Sequence, residues 1–471
     1  MEKEIEKVKK NRLSRYIGDQ AFYRRVLQVA VPIIIQTGIT NFVSLLDNIM
    51  VGQVGTLPMS GVSIVNQILT VFNLCIFGAT SGAGIFTAQF HGNNDNEGIR
   101  YTFRYKLIVC TLLSLLAGAV LFFFRVPLIS LYLTGEGSAA DAFEVLNYGR
   151  EYLSVMFWGL LPFGIANAYS GTLKESEETF VPMVAGVAAV FVNLFLNYVF
   201  IFGHFGAPAM GVKGAALATV ISRYVELLLV AAWCHRNSQK HPFIRGAYAT
   251  FQIPGKLFKT IVITGAPLLL NETLWSSGIA IINQCYSTCG LDVVPAVNIS
   301  STLINLSSVV YLSLGSSVGI LMGRMQGAGL PEDALRDANR KLTVFSVAMG
   351  ILFGSLVALG SGLFPRIYNT SDSVRRLAQY LILISALPMP FHAFANATYF
   401  TLRSGGKTVI TFLFDSGFMW MFGVPLAFCL SRFTDLPILP LYAICQLPDM
   451  LKCILGLFML KKGSWIQNLA V

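Results

Sequence analysis

The sequence predicts an all-α membrane protein, with twelve transmembrane helices in two pseudo-symmetric six-helix bundles around a central cavity. Three observations carry that prediction. The chain of 471 residues is 54% hydrophobic and only 12% charged, with a mean hydropathy of +0.63, whereas a soluble globular chain carries roughly 25% charged residues. Apolar runs of about 20 residues recur along its length, enough to cross a ~30 Å hydrocarbon core at ~1.5 Å rise per residue. The second half of the chain also repeats the first. A β-barrel would show period-two alternation instead, and the runs do not alternate.

The elements follow in order. Residues 1–25 hold Lys3, Lys7, Lys9, Lys10, Arg12, Arg15, Arg24 and Arg25. They read as a cytoplasmic N-terminal segment, too charged for a cleavable signal peptide. Expected spans at 26–51, 60–88, 105–124, 145–171, 178–203 and 212–234 form an N-lobe over 26–234. A basic connection at 235–258 contains Arg236, Lys240, Arg245 and Lys256. Spans at 259–287, 293–323, 341–363, 378–402, 407–430 and 438–460 form a C-lobe over 259–460, followed by a tail at 461–471 with Lys461 and Lys462. Lys and Arg concentrate on the side holding both termini and the connection, which the positive-inside rule makes cytoplasmic. The opposite side has Arg125, Lys213, Arg366, Arg375, Arg376 and Arg432. The net charge of +10 is thus a topology signal scattered over short loops, and it does not form a nucleic-acid patch. The eight cysteines show no metal-ligand spacing and read as small core residues.

The repeat appears on a shift of 235 positions. Pro32 falls on Pro267, Gly55 on Gly290, Gly84 on Gly319, Gly92 on Gly327, Glu97 on Glu332 and Lys106 on Lys341. Further on the shift falls to 229, which places Ala166-Asn167-Ala168 on Ala395-Asn396-Ala397, and Thr172 on Thr401. Parallel repeats are related by an axis along the membrane normal, and a path between them can open to each side in turn.

Ionisable residues deep within the spans are few, chiefly Asp47, Arg223, Glu226, Glu272, Asp415, Asp449 and Lys452. Each costs at least a few kcal/mol at mid-membrane unless paired or neutralised. Burial disfavours the charged form of a carboxyl, so such a group is suited to exchanging a proton or a cation. Asp47 has no basic residue elsewhere in its span. Asn193 and Asn197, at i and i+4 on the fifth span, share one face and can complete a polar pocket with it. Glu272, five residues after Pro267, falls on Thr37 in the repeat, so the halves differ in chemistry. Asp415 can share a substrate or second-cation site with Glu272. Arg223 with Glu226, and Asp449 with Lys452, are i,i+3 pairs of opposite charge at matching places and read as structural polar pairs. Pro32 and Pro267 mark places where the first and seventh spans can bend. Trp275, Met389 and Phe391 are candidates for an apolar substrate wall. Gly315-Ser-Ser-Val-Gly319 matches G-x-S-x-G and His392 lies within a span, which makes a serine hydrolase the rival of a different class. The slot of Ser317 is Gly82 in the first half, and a Gly-or-Ser position points instead to close helix approach. No nucleotide or metal motif is present, so transport needs no cofactor beyond a coupling ion.

Several stretches together resemble the multidrug and toxic compound extrusion (MATE) family of secondary transporters, in its bacterial branch. They are LLDNIMVGQVG at 45–55, FGATSGAGIFTAQFHGNND at 77–95, the segment 193–223, APLLLNETLW at 266–275, the segment 315–333, RSGGKT at 403–408 and KKGSWIQNL at 461–469. The resemblance covers essentially the whole chain. It implies two six-helix lobes around a cavity, and export of cationic or aromatic drugs against H⁺ or Na⁺. It also implies that Asp47 is the ion-coupling acid, with Asn193 and Asn197 beside it. Some members carry an aspartate where this chain has Asn197. Glu272 matches a glutamate of another branch, but the aspartate that accompanies it there has no counterpart, since 378–402 contains no acid. The expected function is therefore drug export with H⁺ favoured over Na⁺, by a monomer in a bacterial cytoplasmic membrane. The nearby rival, a flippase for lipid-linked oligosaccharide, would need a cavity rich in Arg or Lys to hold a pyrophosphate.

Overall fold

Each expected span is helical. The first half comprises α1 (Gln20–Gly52), α2 (Thr56–Gly92), α3 (Asn96–Ser130), α4 (Ala139–Met156), α5 (Leu160–Glu175), α6 (Phe180–Phe202) and α7 (Val212–Arg236). The second comprises α8 (Gly255–Ser287), α9 (Val293–Gly327), α10 (Glu332–Gly360), α11 (Asp372–Ala386), α12 (Met389–Ser404), α13 (Thr408–Phe433) and α14 (Ile438–Lys462). This computed structural model describes residues 15–133, 139–290, 292–368 and 370–470; Lys3, Lys7, Lys9, Lys10 and Arg12 lie outside them. Among the described residues ten helices are long and apolar enough to cross a membrane, and α11 with α12, bent by 48°, supply an eleventh. α4 and α5, joined through a 3-10 turn at Phe157–Gly159, stand in the place of the fourth span. Large apolar side chains such as Leu116, Phe123 and Leu359 are exposed, as hydrocarbon-facing positions require. All eight cysteines are free, and Cys429 is exposed on its helix instead of packing in the core.

The repeat holds at atomic detail. Gly55 and Gly290, in the turns after α1 and α8, have φ of +145° and +143°, a region that L side chains avoid. Asn167 Nδ2 donates to the Phe163 carbonyl at 3.0 Å, and Asn396 Nδ2 to the His392 carbonyl at the same distance. Phe163 and His392 are thus equivalent positions. Other repeated residues take new partners: buried Lys106 pairs with Glu175, whereas Lys341 pairs with Asp337 on its own helix.

Packing gives two compact units that do not follow the halves of the chain. Of the described residues, one takes those up to Ile34, Ala88–Asn94 and those from Ala266 onward; the other takes those within Ile35–Thr87 and Asp95–Gly265. α1 and α8 run unbroken through Pro32 and Pro267, yet each changes unit within three residues of its proline. A proline removes one N–H from the helical ladder and crowds the preceding turn, so each helix is least resistant to bending where it passes between units.

Within its unit, the 235–258 connection is a built element. Arg104 Nε, Nη1 and Nη2 donate to the carbonyls of Ala247 (2.9 Å), Gln252 (3.1 Å) and Gly246 (2.7 Å), and Phe243, Ile244 and Ala247 are buried. In the other unit the C-terminal tail is seated as firmly. Trp465 is fully buried among Val318, Leu402 and Phe414. Buried Gln89 Nε2 donates to the Ser404 and Gln467 carbonyls at 2.8 and 3.1 Å, while its Oε1 accepts from Leu469 N–H at 2.5 Å. A Cβ at Gly405 would stand 1.8 Å from the Trp465 carbonyl oxygen. Gly405→Ala is expected to unseat the tail and cost about 2 kcal/mol, read as a lower unfolding midpoint and a red-shifted Trp465 emission. An unchanged midpoint would show that the tail contributes nothing to stability.

Candidate functional site

Gln36, Thr40, Ser44 and Asp47 recur every three to four residues along α1, so they form one polar stripe on that helix. Thr40 and Ser44 return their hydroxyls to carbonyls one turn back, at 2.8 and 2.9 Å, which satisfies them without help from outside the helix. Asp47 cannot do the same and takes its partners from α6. Asn197 Nδ2 donates to Asp47 Oδ1 at 2.7 Å. With the Asn193 amide nitrogen facing the carboxylate, its Nδ2 lies 3.0 and 2.9 Å from the two Asp47 oxygens, and its Oδ1 accepts from Thr219 Oγ1 at 3.2 Å. The three residues singled out in the sequence thus form one hydrogen-bonded cluster. Thr219 completes it from α7.

The cluster opens on a cavity of about 300 Å³, whose lining includes Gln36, Thr40, Ser44, Asp47, Phe163, Asn167, Asn193, Thr219, Arg223 and Glu226. Arg223 and Glu226 do not form the expected ion pair. Arg223 Nη1 donates to the Gly159 carbonyl at 3.2 Å, and the guanidinium lies 4.8 Å from the centre of the Phe163 ring. Among the described residues no hydrogen bond or ion pair reaches the Glu226 carboxylate; Lys174 and Arg223 act on it only at longer range. Gly186, which closes in on Gln36, leaves room for that side chain alone: a Cβ there would lie 2.5 Å from Gln36 Nε2.

A second polar cluster lies in the other unit. Lys452 Nζ meets Asp415 Oδ1 at 2.5 Å, and Asn271 Nδ2 donates to Asp415 Oδ2 at 3.1 Å. The expected Asp449–Lys452 pair is therefore replaced: Lys452 turns to Asp415, and Asp449 Oδ2 lies 3.9 Å from His392 Nδ1. The cause is local. α13 contains two π-helical stretches, Leu413–Gly417 and Met419–Gly423, and a π turn re-aims the side chains it carries. Ser416 N–H and Oγ bond the Asn271 side chain and carbonyl at 3.2 and 2.8 Å, fixing α13 to α8. Glu272 is within electrostatic range of Arg403 and Asp415.

The MatE family profile matches residues 32–199 and 267–429, one stretch in each half of the repeat. The chain belongs to the MatE family. This MatE protein is 23% identical, over 94% of its own length and 93% of the relative's, to the probable multidrug resistance protein NorM of Thermotoga maritima. It is 26% identical to multidrug resistance protein PmpM of Pseudomonas aeruginosa, over 89% of this chain and 86% of that one. Its fold superposes on the Vibrio cholerae MATE transporter VcmN in the bent form with a TM-score of 0.82, at 16% identity, covering 96% of this chain and 98% of that one.

The MatE chain is a transporter and not an enzyme. Ser317 Oγ donates to the Ser313 carbonyl of its own helix at 2.8 Å, and no bond joins it to His392 among the described residues. Of the three expected wall residues, Trp275 and Phe391 are exposed, but Met389 is 1% exposed in a core cluster with Val357, Ile382 and Ala386. Met389 therefore lines no open surface. The sequence reading did not single out Gln36, Thr40, Ser44, Thr219 or Asn271. The polar stripe on α1 was visible as a spacing, and Gln36 and Asn271 are equivalent in the 235-position repeat. Thr219 carried no local signal.

Proposed function

We propose that this MatE transporter exports cationic or aromatic small molecules by H⁺ antiport, with Asp47 as the proton carrier. The supporting observation is the nature of the groups that touch its carboxylate. They are the Asn197 amide nitrogen, 2.7 Å from Oδ1, and the Asn193 amide, which donates to both oxygens when its nitrogen faces them; such donors stabilise a carboxylate. An alkali or other hard cation needs oxygen ligands instead. Protonation of Asp47 creates an O–H that requires an acceptor. Asn193 can supply one by rotating its amide, since the reverse orientation places Nδ2 3.2 Å from Thr219 Oγ1 as a donor. One amide and one hydroxyl thus serve both charge states. Each state gives α1 a different set of bonds to α6, above the weak point at Pro32. A proton that biases two arrangements differently can drive transport between them. In this reading the transporter is a monomer in the bacterial cytoplasmic membrane, with both termini in the cytoplasm. Its relatives bear multidrug resistance names, in keeping with drug-like substrates.

The test is efflux of a fluorescent organic cation from proteoliposomes under an imposed ΔpH or an imposed Na⁺ gradient. The expected result is efflux driven by ΔpH at zero Na⁺. Efflux that requires Na⁺ and ignores ΔpH would overturn the coupling assignment.

A further inference from the structure

Two carboxylates line the cavity of the first-half unit, and they are treated very differently. Asp47 is held by two amides. Glu226 has no hydrogen bond or ion pair among the described residues, although it lines the same cavity. Its sequence neighbour Arg223 is committed elsewhere, to the Gly159 carbonyl and the Phe163 ring.

The other half shows what such a position looks like when it is filled. Arg223 and Glu226 occupy the places of Asp449 and Lys452. The equivalence is spatial as well, because Arg223 meets Phe163 and Asp449 approaches His392, its repeat counterpart. Lys452, in the slot of Glu226, is closed by Asp415 at 2.5 Å. The first half thus places a carboxylate where the second half places an ammonium, and among the described residues gives that carboxylate no hydrogen bond or ion pair, with Lys174 and Arg223 acting on it only at longer range. A carboxylate in a partly buried site without a contact partner is costly. An organic ammonium in the cavity would bring a positive charge and N–H donors to the Glu226 carboxylate at contact distance.

We infer that Glu226 is the residue that binds the positive charge of the substrate, while Asp47 carries the proton. The two acids then divide the work: one sets which molecules enter the cavity, the other sets when they leave. The inference rests on the proposed export of cationic molecules. It predicts that removing the charge at Glu226 alters selectivity without uncoupling transport.

The experiment uses purified full-length protein and two probes of one aromatic scaffold, one bearing a quaternary or primary ammonium and one neutral. Binding is followed by fluorescence, and efflux in proteoliposomes by KM and kcat under ΔpH. For Glu226→Gln the Kd and KM of the cationic probe are expected to rise ~10-fold or more. The preference for the cationic over the neutral probe should collapse, while the pH dependence of kcat stays that of wild type. Glu226→Asp is expected to lie between the two, and the unfolding midpoint of each variant checks folding independently. An unchanged Kd for the cation in Glu226→Gln overturns the inference, as does an equal loss for both probes. Failure of the wild type to move any cationic probe would instead strike the proposed function.

Discussion

Asp47→Asn is expected to abolish proton-driven efflux while leaving the protein folded. The replacement keeps the shape and one carbonyl oxygen, so Asn197 retains an acceptor in place of Asp47 Oδ1 at 2.7 Å. It removes the change of charge. Asn193 then has no reason to rotate its amide with pH, and α1 keeps one set of bonds to α6 in all conditions. Allosteric couplings are typically worth up to about 3 kcal/mol, or roughly 100-fold, and the loss of ΔpH-driven transport should be of that order. Asp47→Glu, which still titrates, should retain part of the activity. The measurement is initial efflux rate against imposed ΔpH in proteoliposomes, with the unfolding midpoint as the control. Wild-type efflux with wild-type pH dependence in Asp47→Asn would remove Asp47 from the mechanism.

Lys452→Met is expected to be the most destabilising single change in the second-half cluster. The Lys452 and Asp415 side chains are 10% and 21% exposed. Deleting the ammonium leaves a carboxylate with one amide partner, Asn271, in a poorly solvated site. Breaking a buried pair from one side costs about 3–5 kcal/mol. Replacing both charges removes the desolvation cost along with the attraction, so Lys452→Met with Asp415→Asn should recover most of the loss. Asn at 415 can still meet the Asn271 amide. Denaturation midpoints for the two single variants and the double variant form the test. Losses that simply add would mean that the two residues stabilise the fold independently.

The parts of the candidate site that were legible in the sequence are those set by spacing along one helix. Asp47 stood out because a lone acid in an apolar run is expensive. Asn193 and Asn197 stood out because i and i+4 share a face. The same reasoning failed for Arg223 with Glu226 and for Asp449 with Lys452. An i,i+3 spacing permits a pair, but a neighbouring helix can offer each member something better. For Arg223 the rival partners are a carbonyl freed at the 3-10 turn Phe157–Gly159 and an aromatic face. For Lys452 it is Asp415, delivered by a π-helical turn that hydropathy does not reveal.

The amino-acid sequence alone determined the membrane-spanning, all-helical class and the internal repeat, down to glycines at the equivalent turns after α1 and α8. These depend on local quantities: the length of apolar runs, the placement of Lys and Arg, and backbone angles that only glycine adopts readily. Only the tertiary structure decided which charges meet. It also decided that α1 and α8 pass between packing units beside Pro32 and Pro267, that Met389 is core, and that Glu226 faces a cavity with no hydrogen bond or ion pair among the described residues. Those outcomes depend on how each helix is rotated and bent against its neighbours, and that rotation is fixed by contacts between residues far apart in the chain.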